Sequence, residues 1–549
     1  MIGTSKFEYF YIKFFIITLH LVAPLCLAYC LSLIIFYGPT RLFTSPISLY
    51  ALAETLFFAA YFPYRNYLQR NAVDIPPPDP QKRKELFDRC RNHIPDPELY
   101  IRTWFLGAEL ADIRKENLKE FILWAFFNRE GPPGDDDDEL NRYIEQMESI
   151  LGRRFEEGRG KAVSLRITFD KVNVLHRSIL WYFCVGFVDS LTHVIMYYHG
   201  FDFYREDHSR FFLTFPFRPL TLLSSLRSPV KNTAYWYREH KSKDLLPVVF
   251  LHGIGIGLYP YTPFFKELNE FKKAGFYGMD EQIGIIAIES LDISFRLTNA
   301  PANSKDTCSE IEQILLNHFP PNQQFVFVAH SFGTNIISYL LKNPSTAKYI
   351  NSIVLIDPIP ILLHLPNVAY NFTRKIPSKA NEHQLHYFAT MDMGVARTLG
   401  RHFHWSEAIL WKETLGNRNI TVSLCGQDLI VDTESVGRYL STGYTDECKT
   451  PDSDNDYVHS EEKRHLSYTT TSPVGYNIQR DRIKGSVQME PINDEWKFRS
   501  WRGTGIDILW FGNLDHAQAF DKYSTRRSLL NVIHTYCREG CSVSKYEIL

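Results

Sequence analysis

A serine at the junction of a buried strand and a helix is the feature that most constrains the fold of this chain. Residues 324–329 form an apolar run typical of a buried strand, and a helical pattern begins at residue 334. Ser331 lies in the turn between them, with Ala329 two positions before it and Gly333 two positions after it. Small residues are needed there because the strand and helix backbones approach closely while the serine hydroxyl is held outside the sheet. The five-residue string is common by chance, but its placement predicts a nucleophilic serine.

The rest of the region from residue 230 alternates short β-rich runs with helical stretches. Beyond the run at 324–329, strands are predicted over residues 233–239, 247–251, 283–288, 352–356, 420–425 and 506–511. Helical patterns separate them, for example over residues 307–318 and 334–342. Such alternation predicts an α/β fold with a mostly parallel sheet covered by helices on both faces.

A glycine-rich loop follows the strand at 247–251 and reads His252-Gly253-Ile254-Gly255-Ile256-Gly257. Backbone N–H groups in such a loop can point at a developing oxyanion. We expect the amides of Gly253 and Ile254 to serve there together with the amide of Phe332, the residue after the serine. A phosphate-binding loop is the alternative, but the G-x-G-x-G spacing departs from G-x-G-x-x-G and no G-K-[ST] follows.

The chain also offers a base and a carboxylate in the order that follows a nucleophilic serine in this kind of sheet. Asp428 comes directly after the strand at 420–425, where its carboxylate could orient a histidine. Asp357, after the strand at 352–356, is the alternative acid, and Asp432 is a weaker one. His516 follows the last strand at 506–511 and is the predicted base.

These residues resemble those of α/β-hydrolase-fold serine hydrolases over residues 230–535, somewhat more than half of the chain. The resemblance implies Ser331 as nucleophile, His516 as base and Asp428 as orienting acid, with no metal or organic cofactor. It also implies a cap over the pocket, placed here at about 358–417. The preceding part resembles the membrane-proximal helical regions of fungal membrane-anchored hydrolases.

Two departures from the family pattern stand out. Ala329 occupies the position of the usual first glycine of the serine turn, which is sterically tolerable. The 88 residues that separate Asp428 from His516 exceed what the family needs. The polar, turn-rich stretch at 443–500 accounts for most of the excess and is predicted to be a flexible insertion in a hydrolase domain spanning 230–549.

The amino-terminal region predicts a membrane anchor. Residues 14–37 contain no Asp, Glu, Lys or Arg over 24 positions, enough for a helix to cross a bilayer. A signal peptide would have a shorter apolar segment and a nearby cleavage pattern. A second apolar run at 47–64 contains Glu54 and is a second candidate span, whereas the run at 179–198 contains Asp189 and is expected to be a buried or interfacial helix. Residues 1–70 are thus the anchoring region and 71–229 a helical membrane-proximal region.

The charged residues argue against a nucleic-acid partner and bear on the orientation of the protein in a membrane. Lys and Arg number 60 against 62 Asp and Glu, a net charge of -2, which lacks the basic excess of a nucleic-acid binder. Lys6 and Lys13 precede the first apolar run, and Arg41, Arg65 and Arg70 follow it. If the first two runs form a hairpin, both of its ends lie on one side of the membrane, and the charges then favour a cytosolic catalytic domain. Asn371 and Asn419 begin glycosylation sequons. Glycosylation of Asn371 would indicate a luminal catalytic domain instead, whereas Asn419 abuts a predicted buried strand and is less informative.

The sequence therefore predicts a membrane-associated serine hydrolase that cleaves a carboxylic ester, with a lipophilic substrate such as an acylglycerol or fatty ester. An apolar cap next to a membrane anchor favours that substrate class. Two alternatives remain open at this stage. An acyltransferase would use the same triad and transfer the acyl group to an alcohol, and a membrane scaffold would keep the fold without catalysis. The sequence leaves the oligomeric state open.

Overall fold

One eight-stranded sheet organises the carboxyl-terminal half of the protein. The computed structural model describes residues 2–70, 77–270, 282–441 and 494–544. The strands are β1 (Asp202–Tyr204), β2 (Tyr235–Arg238), β3 (Val248–Leu251), β4 (Ile285–Ile288), β5 (Phe325–His330), β6 (Ile350–Ile356), β7 (Asn419–Cys425) and β8 (Ile506–Phe511).

The strand order is β1-β2-β4-β3-β5-β6-β7-β8. β2 pairs antiparallel with both β1 and β4, and every other pair is parallel. This is the α/β-hydrolase fold predicted from the sequence. The seven predicted strands are confirmed, whereas β1 was not predicted and lies before the predicted domain start at residue 230.

Helices account for most of the remaining described chain. They are α1 (Lys6–Tyr37), α2 (Pro46–Leu68), α3 (Pro80–Asn92), α4 (Pro97–Trp104), α5 (Lys115–Phe127), α6 (Asp137–Leu151), α7 (Ile179–Tyr198), α8 (Thr262–Glu270), α9 (Ser304–His318), α10 (Gly333–Lys342), α11 (Pro344–Ala347), α12 (Pro366–Thr373), α13 (Ala380–Gln384), α14 (Met393–Arg397), α15 (Trp405–Ala408), α16 (Lys412–Leu415), α17 (Thr433–Ser441) and α18 (Tyr523–Ser544). A π-helical turn at Leu385–Thr390 extends α13.

Helices cover both faces of the sheet. Every side chain of β3, β4 and β5 is buried, as expected for central strands of a parallel sheet. On one face, apolar residues of α8 and α18 pack against the strands, among them Phe264 and Leu529. On the other face, α9 and α10 contribute residues such as Ile311 and Ile337. The sheet is thus fixed from two sides, and its carboxyl-terminal edge is left for the site.

The helical region at 71–229 shares a core with the sheet domain. Leu118 and Ile122 of α5 and Ile144 of α6 are buried in the same hydrophobic cluster as Ile337 of α10. The indole N–H of Trp405, in the predicted cap, donates to the carbonyl of Ala125 at 3.0 Å. The predicted membrane-proximal region is therefore packed onto the cap and one face of the hydrolase fold.

α1 and α2 pack against each other and are joined by the short turn Pro39–Phe43. α1 begins with a capping box, in which Ser5 Oγ accepts the amide of Glu8 and the Glu8 carboxylate accepts the amide of Ser5. The helix pair is tied to the rest of the protein at both ends: the Ile2 amide donates to Gln384 on α13, and Gln69 Nε2 donates to the carbonyl of Val172.

By length and composition, two helices of the described chain are able to cross a membrane, α1 and α7. α2, the second candidate span from the sequence, is not one of them. Its Glu54 is buried and accepts hydrogen bonds from Tyr50 and from the amide of Ile179 at the start of α7. α7, expected to be buried or interfacial, exposes large apolar side chains such as Phe183 and Phe187 along its outer side.

Most of the insertion predicted at 443–500 lies outside the described residues. The described chain resumes at Asp494, and the side chain of Trp496 is buried next to the ring of Trp510 in β8, 5.2 Å between ring centroids. Trp496, near the end of the predicted insertion, is therefore packed against the edge of the sheet.

A buried ion-pair network fixes α7 to the loops around the sheet. Asp189 on α7 accepts hydrogen bonds from Arg218 at 2.9 Å and from Arg296 at 2.5 Å. Arg218 also forms a bidentate pair with Glu289, at 2.8 and 3.0 Å. All four side chains are nearly inaccessible to solvent, so each charge depends on its partners for stabilisation.

Asp189→Ala should strongly destabilise the protein. Removing the shared carboxylate leaves two buried guanidinium groups short of a partner, which typically costs about 3–5 kcal/mol in the free energy of unfolding. The loss of stability would be measured as a lower temperature of thermal inactivation in detergent. Asp88→Ala is the control, because the pair of Asp88 with Lys84 is partly exposed and should contribute under about 1 kcal/mol. Equal shifts in the two variants would contradict a structural role for the network.

Candidate active site

The serine predicted as nucleophile lies in a strained turn at the carboxyl end of β5. Ser331 has a positive φ of 48°, an unusual conformation for a residue with a side chain. The turn is held by a hydrogen bond from the Ser331 amide to the carbonyl of Ile356 at 2.9 Å. A Cβ on Gly333 would lie 2.5 Å from the carbonyl oxygen of Leu251, so only glycine fits where α10 passes β3.

The structure brings the predicted base and acid to this serine. His516 Nε2 lies 2.8 Å from Ser331 Oγ, and His516 Nδ1 lies 2.7 Å from Asp428 Oδ2. Asp428 Oδ1 accepts the amides of Ile430 and Val431 at 2.8 and 2.9 Å. All three side chains are buried at the carboxyl ends of β5, β7 and β8. They form one continuous hydrogen-bonded chain from carboxylate to hydroxyl.

The charge of Asp428 sets the protonation of the histidine. Burial alone would lower the pKa of His516, but the charge of Asp428 and the hydrogen bond to it outweigh burial and raise the pKa to about 9. The nearby carboxylates of Asp357 and Asp515 act in the same direction. The site is therefore arranged to stabilise an imidazolium at His516.

Asp357, the alternative acid, is buried beside the triad but bonds elsewhere. Its Oδ2 accepts the amide of Ala517 at 2.7 Å and lies 3.8 Å from Nε2 of His330. Burial alone would raise the pKa of Asp357, but His330 and His516 hold it below its ordinary value. Asp432 bonds to the amide and hydroxyl of Ser435 in α17. Of the three carboxylates considered from the sequence, Asp428 is the one hydrogen-bonded to the His516 ring.

The glycine-rich loop lies against the serine, but its first amide is already in use. The Gly253 amide donates to the hydroxyl of Tyr261 at 3.2 Å, and that hydroxyl bonds to His330 Nδ1 at 2.8 Å. His252 bonds through Nδ1 to the Gly253 carbonyl at 2.8 Å, while its Nε2 accepts the amide of Ser290 at 3.0 Å. Because the peptide unit is planar, this directs the Ile254 N–H away from His252.

Of the three amides predicted to form an oxyanion hole, the structure therefore leaves two available. No hydrogen bond between described residues uses the amides of Ile254 or Phe332. The part played by Tyr261 was missed in the sequence because a tyrosine eight residues after the strand has no motif position.

Asp515 was also missed as a participant, although it directly precedes His516. Its Oδ1 accepts the amides of Leu429 and His516, at 3.0 and 2.7 Å, and its Oδ2 accepts Asn381 Nδ2 at 2.6 Å. The carboxylate thus joins the acid loop, the histidine loop and the cap. An acidic residue next to the predicted base was the available signal.

A cavity of about 650 Å³ opens from Ser331 and His516. Its walls are mostly apolar and aromatic and come from regions far apart in the sequence. Trp104 and Trp124 belong to the helical region, Phe388 and Phe403 to the cap, and Trp181 to α7. α1 contributes Tyr11, Ile12 and Phe15. Cavities that bind small molecules are commonly about 300–1,000 Å³ and similarly apolar.

Other predicted residues lie away from the cavity or have structural partners. Asn371 Nδ2 donates to the carbonyl of Ile430 at 3.1 Å, and Asn419 Oδ1 accepts the amide of Gly505 at 3.2 Å, so both sequon side chains are engaged in the fold. Within the described chain, a metal-like grouping of acidic and histidine side chains is formed by Asp357, Asp428 and His516. Its core is the Asp428–His516 hydrogen bond already described.

The sequence matches no protein-family model and no curated protein. Among solved structures it is similar to fungal esterases from Rhizomucor miehei, with 12% identity over 58% of this chain and 83% of theirs, at a TM-score of 0.34. It is also similar to carboxyl esterase 2 of Tuber melanosporum, with 14% identity over 57% and 84% and a TM-score of 0.32. A Bacillus subtilis carboxylesterase gives 12% identity over 54% and 86%, with a TM-score of 0.27. These neighbours are esterases of the α/β-hydrolase fold.

Gly253→Ala should impair the site without unfolding the protein. A Cβ there would lie 2.8 Å from both Ser331 Cβ and His330 Nδ1, so the serine or the loop must move. Displacements of about 1 Å in a catalytic site cost on the order of 100-fold in rate. Reaction of Ser331 with a fluorophosphonate would be timed for each variant. Gly255→Ala is the matched control, since a Cβ there meets nothing within 4 Å. Equal reactivity of the two variants would contradict the close approach of the glycine-rich loop to Ser331.

Proposed function

We propose that the protein is a membrane-associated serine hydrolase that cleaves the carboxylic ester of a lipophilic substrate. The observation that carries this proposal is the buried chain Asp428–His516–Ser331, with contacts of 2.7 and 2.8 Å, at the end of an apolar cavity. Hydroxyl, imidazole and carboxylate in this order are what acyl transfer to a serine requires. The carboxylate of Asp428 fixes which nitrogen of His516 faces the serine.

In the proposed reaction, Ser331 Oγ attacks the ester carbonyl carbon while His516 Nε2 takes the hydroxyl proton. The negative charge that develops on the carbonyl oxygen is stabilised by the N–H groups of Phe332 and Ile254. The imidazolium then gives its proton to the leaving alcohol, and an acyl-serine remains. Water attacks the acyl-serine with His516 again as base, which releases the acid and restores the serine.

Membrane association belongs to the same proposal. The outer side of α1 exposes large apolar side chains along its whole length, including Phe7, Phe14, Leu25 and Phe36. A continuous exposed apolar surface that runs the length of a helix is rare on a soluble monomer. The hairpin formed by α1 and α2 returns to the catalytic body at both ends, so the domain and both hairpin ends share one side. The basic residues near these ends support a cytosolic orientation.

Fluorophosphonate labelling of membrane fractions tests the nucleophile and the acid together. Ser331→Ala should abolish labelling. Asp428→Asn should lower it by about 10³–10⁴-fold, because the histidine loses both its orientation and its counter-charge. Asp357→Asn is the matched control, a change of the same size in a buried carboxylate that does not bond to the His516 ring. Labelling that persists in Ser331→Ala would contradict the proposal, and equal losses in the two aspartate variants would contradict the assignment of the acid.

The pH dependence of ester hydrolysis should report His516. Only the neutral imidazole can accept the serine proton, so kcat/KM should rise with pH as the group with a pKa of about 9 deprotonates. In Asp428→Asn the charge that raises this pKa is gone, so the inflection should move to lower pH while the rate falls. Asp432→Asn, which affects only the start of α17, should keep the wild-type profile. An unchanged inflection in Asp428→Asn would contradict the proposal that Asp428 raises the pKa of the titrating histidine.

A further inference from the structure

The cavity reaches the surface at the amino-terminal helix. Tyr11 and Phe15 line the cavity, yet 49% and 42% of their surfaces remain exposed to the outside. A side chain that is both a cavity wall and a surface residue lies at an opening. Their neighbours Ile12 and Ile16 are buried against Ala380 and Tyr387 of the cap, so this part of α1 is fixed in place.

The outer face of α1 beside this opening is apolar and exposed. Phe7, Phe10, Phe14, Ile17 and Leu21 are all largely exposed, and their spacing of three and four residues places them in one stripe along the helix. The stripe continues into the part of α1 that is long and apolar enough to cross a bilayer. The opening therefore lies next to the surface that the membrane would cover.

The cavity lacks groups that would hold a charged lipid headgroup. Among the described residues no Lys or Arg lines it, and Asp521 is the single carboxylate side chain that does. A phospholipid carries its phosphate within a few bonds of its ester groups and would place it in or near these walls. Burying an unpaired phosphate in an apolar pocket is costly. A neutral ester meets no such cost.

The cavity also has a solvent-exposed edge on the side of the glycine-rich loop and the His516 loop. Pro260 and Asp521 line the cavity and are exposed to solvent. They lie near Tyr261 and Phe520 in sequence, which pack together at 4.9 Å between ring centroids. Because Pro260 and Asp521 line the same cavity as His516, this exposed edge is a place where water could enter, whereas an acyl chain would gain no apolar contact with Asp521. The two edges thus suit different reactants.

From these observations, and resting on the proposed function, we propose that the substrate is a neutral ester lipid that enters the cavity directly from the bilayer past Tyr11 and Phe15. In this scheme α1 is a wall of the binding site as well as an anchor. The acyl chain moves from lipid into an apolar cavity without crossing water, so the hydrophobic cost of extracting it is avoided. Water for deacylation arrives at the edge formed by Pro260 and Asp521.

The test compares Phe15→Ala with Phe10→Ala in the full-length protein reconstituted into phosphatidylcholine vesicles that contain dioleoylglycerol. Both changes remove the same ring from the same helix, but Phe10 lies in the outer stripe and Phe15 at the opening. Hydrolysis of dioleoylglycerol and of water-soluble p-nitrophenyl butyrate is measured per unit of fluorophosphonate-labelled protein. The quantity compared is the ratio of the two kcat/KM values.

We expect this ratio to fall about tenfold in Phe15→Ala, as loss of a large apolar contact implies, and to stay at the wild-type value in Phe10→Ala. Equal ratios in the two variants would overturn entry past α1. Vesicles of dioleoylphosphatidylcholine alone are assayed separately. Faster release of oleate from these vesicles than from dioleoylglycerol would overturn the assignment of a neutral substrate. A wild-type protein that neither labels nor cleaves p-nitrophenyl butyrate would instead refute the proposed function itself.

Discussion

The site depends on compensating three buried carboxylates that lie around one imidazole. Each carboxylate would be costly to bury alone, and each has its own compensation. Asp428 has two backbone amides and the His516 ring, Asp515 has two amides and Asn381, and Asp357 has the amide of Ala517 and a nearby His330. Their other hydrogen-bond partners are amide groups, and burial lowers the pKa of the nearby His330, so the negative potential of the group acts chiefly on His516. That potential is the physical origin of its raised pKa.

The same contacts link the loops that carry Asp428 and His516 to the predicted cap and to α1. Asn381, which bonds to Asp515, belongs to α13, and α1 packs on α13. The Ile2 amide at the start of the chain bonds to Gln384 of the same helix. A displacement of α1 would thus reach the loop that carries His516 through two helices and one hydrogen bond. α1, the predicted cap and the His516 loop form one packed unit, although the sequence places them hundreds of residues apart.

Local pattern was enough to predict the sheet and the strand-end positions of Ser331, Asp428 and His516, because both are determined by short segments. The buried strand that precedes Ser331 and the one that ends before Asp428 can each be recognised from about ten residues of sequence. β1 was missed since three residues, Asp202–Tyr204, carry too little pattern to predict a strand. The use of the Gly253 amide by Tyr261 depends on a side chain brought in by folding.

The composition of the cavity could not be predicted for a similar reason. Hydrophobic periodicity identifies which face of a helix is apolar, but it does not identify the partner of that face. Trp104, Trp124 and Trp181 look like ordinary core residues in the sequence, and they reach the cavity only because the region at 71–229 packs on the cap. Apolar residues of α1 likewise predict a membrane span whether or not some of them line a site.

The long separation of acid and base in the sequence is compatible with their close contact because β7 and β8 are adjacent and parallel. Cys425 pairs with Phe511 at the end of the two strands, and the amides of Gly426 and Gln427 donate to the carbonyls of Phe511 and Leu514. A Cβ on Gly426 would lie 2.5 Å from the Gly512 carbonyl oxygen, so the two loops meet at a glycine that only their close approach requires. The relative position of the two loops is therefore fixed by the sheet and does not depend on the length of the chain between residues 441 and 494. The entropic cost of closing a loop grows with the logarithm of its length, so an insertion of this size adds little to the cost of bringing Asp428 to His516.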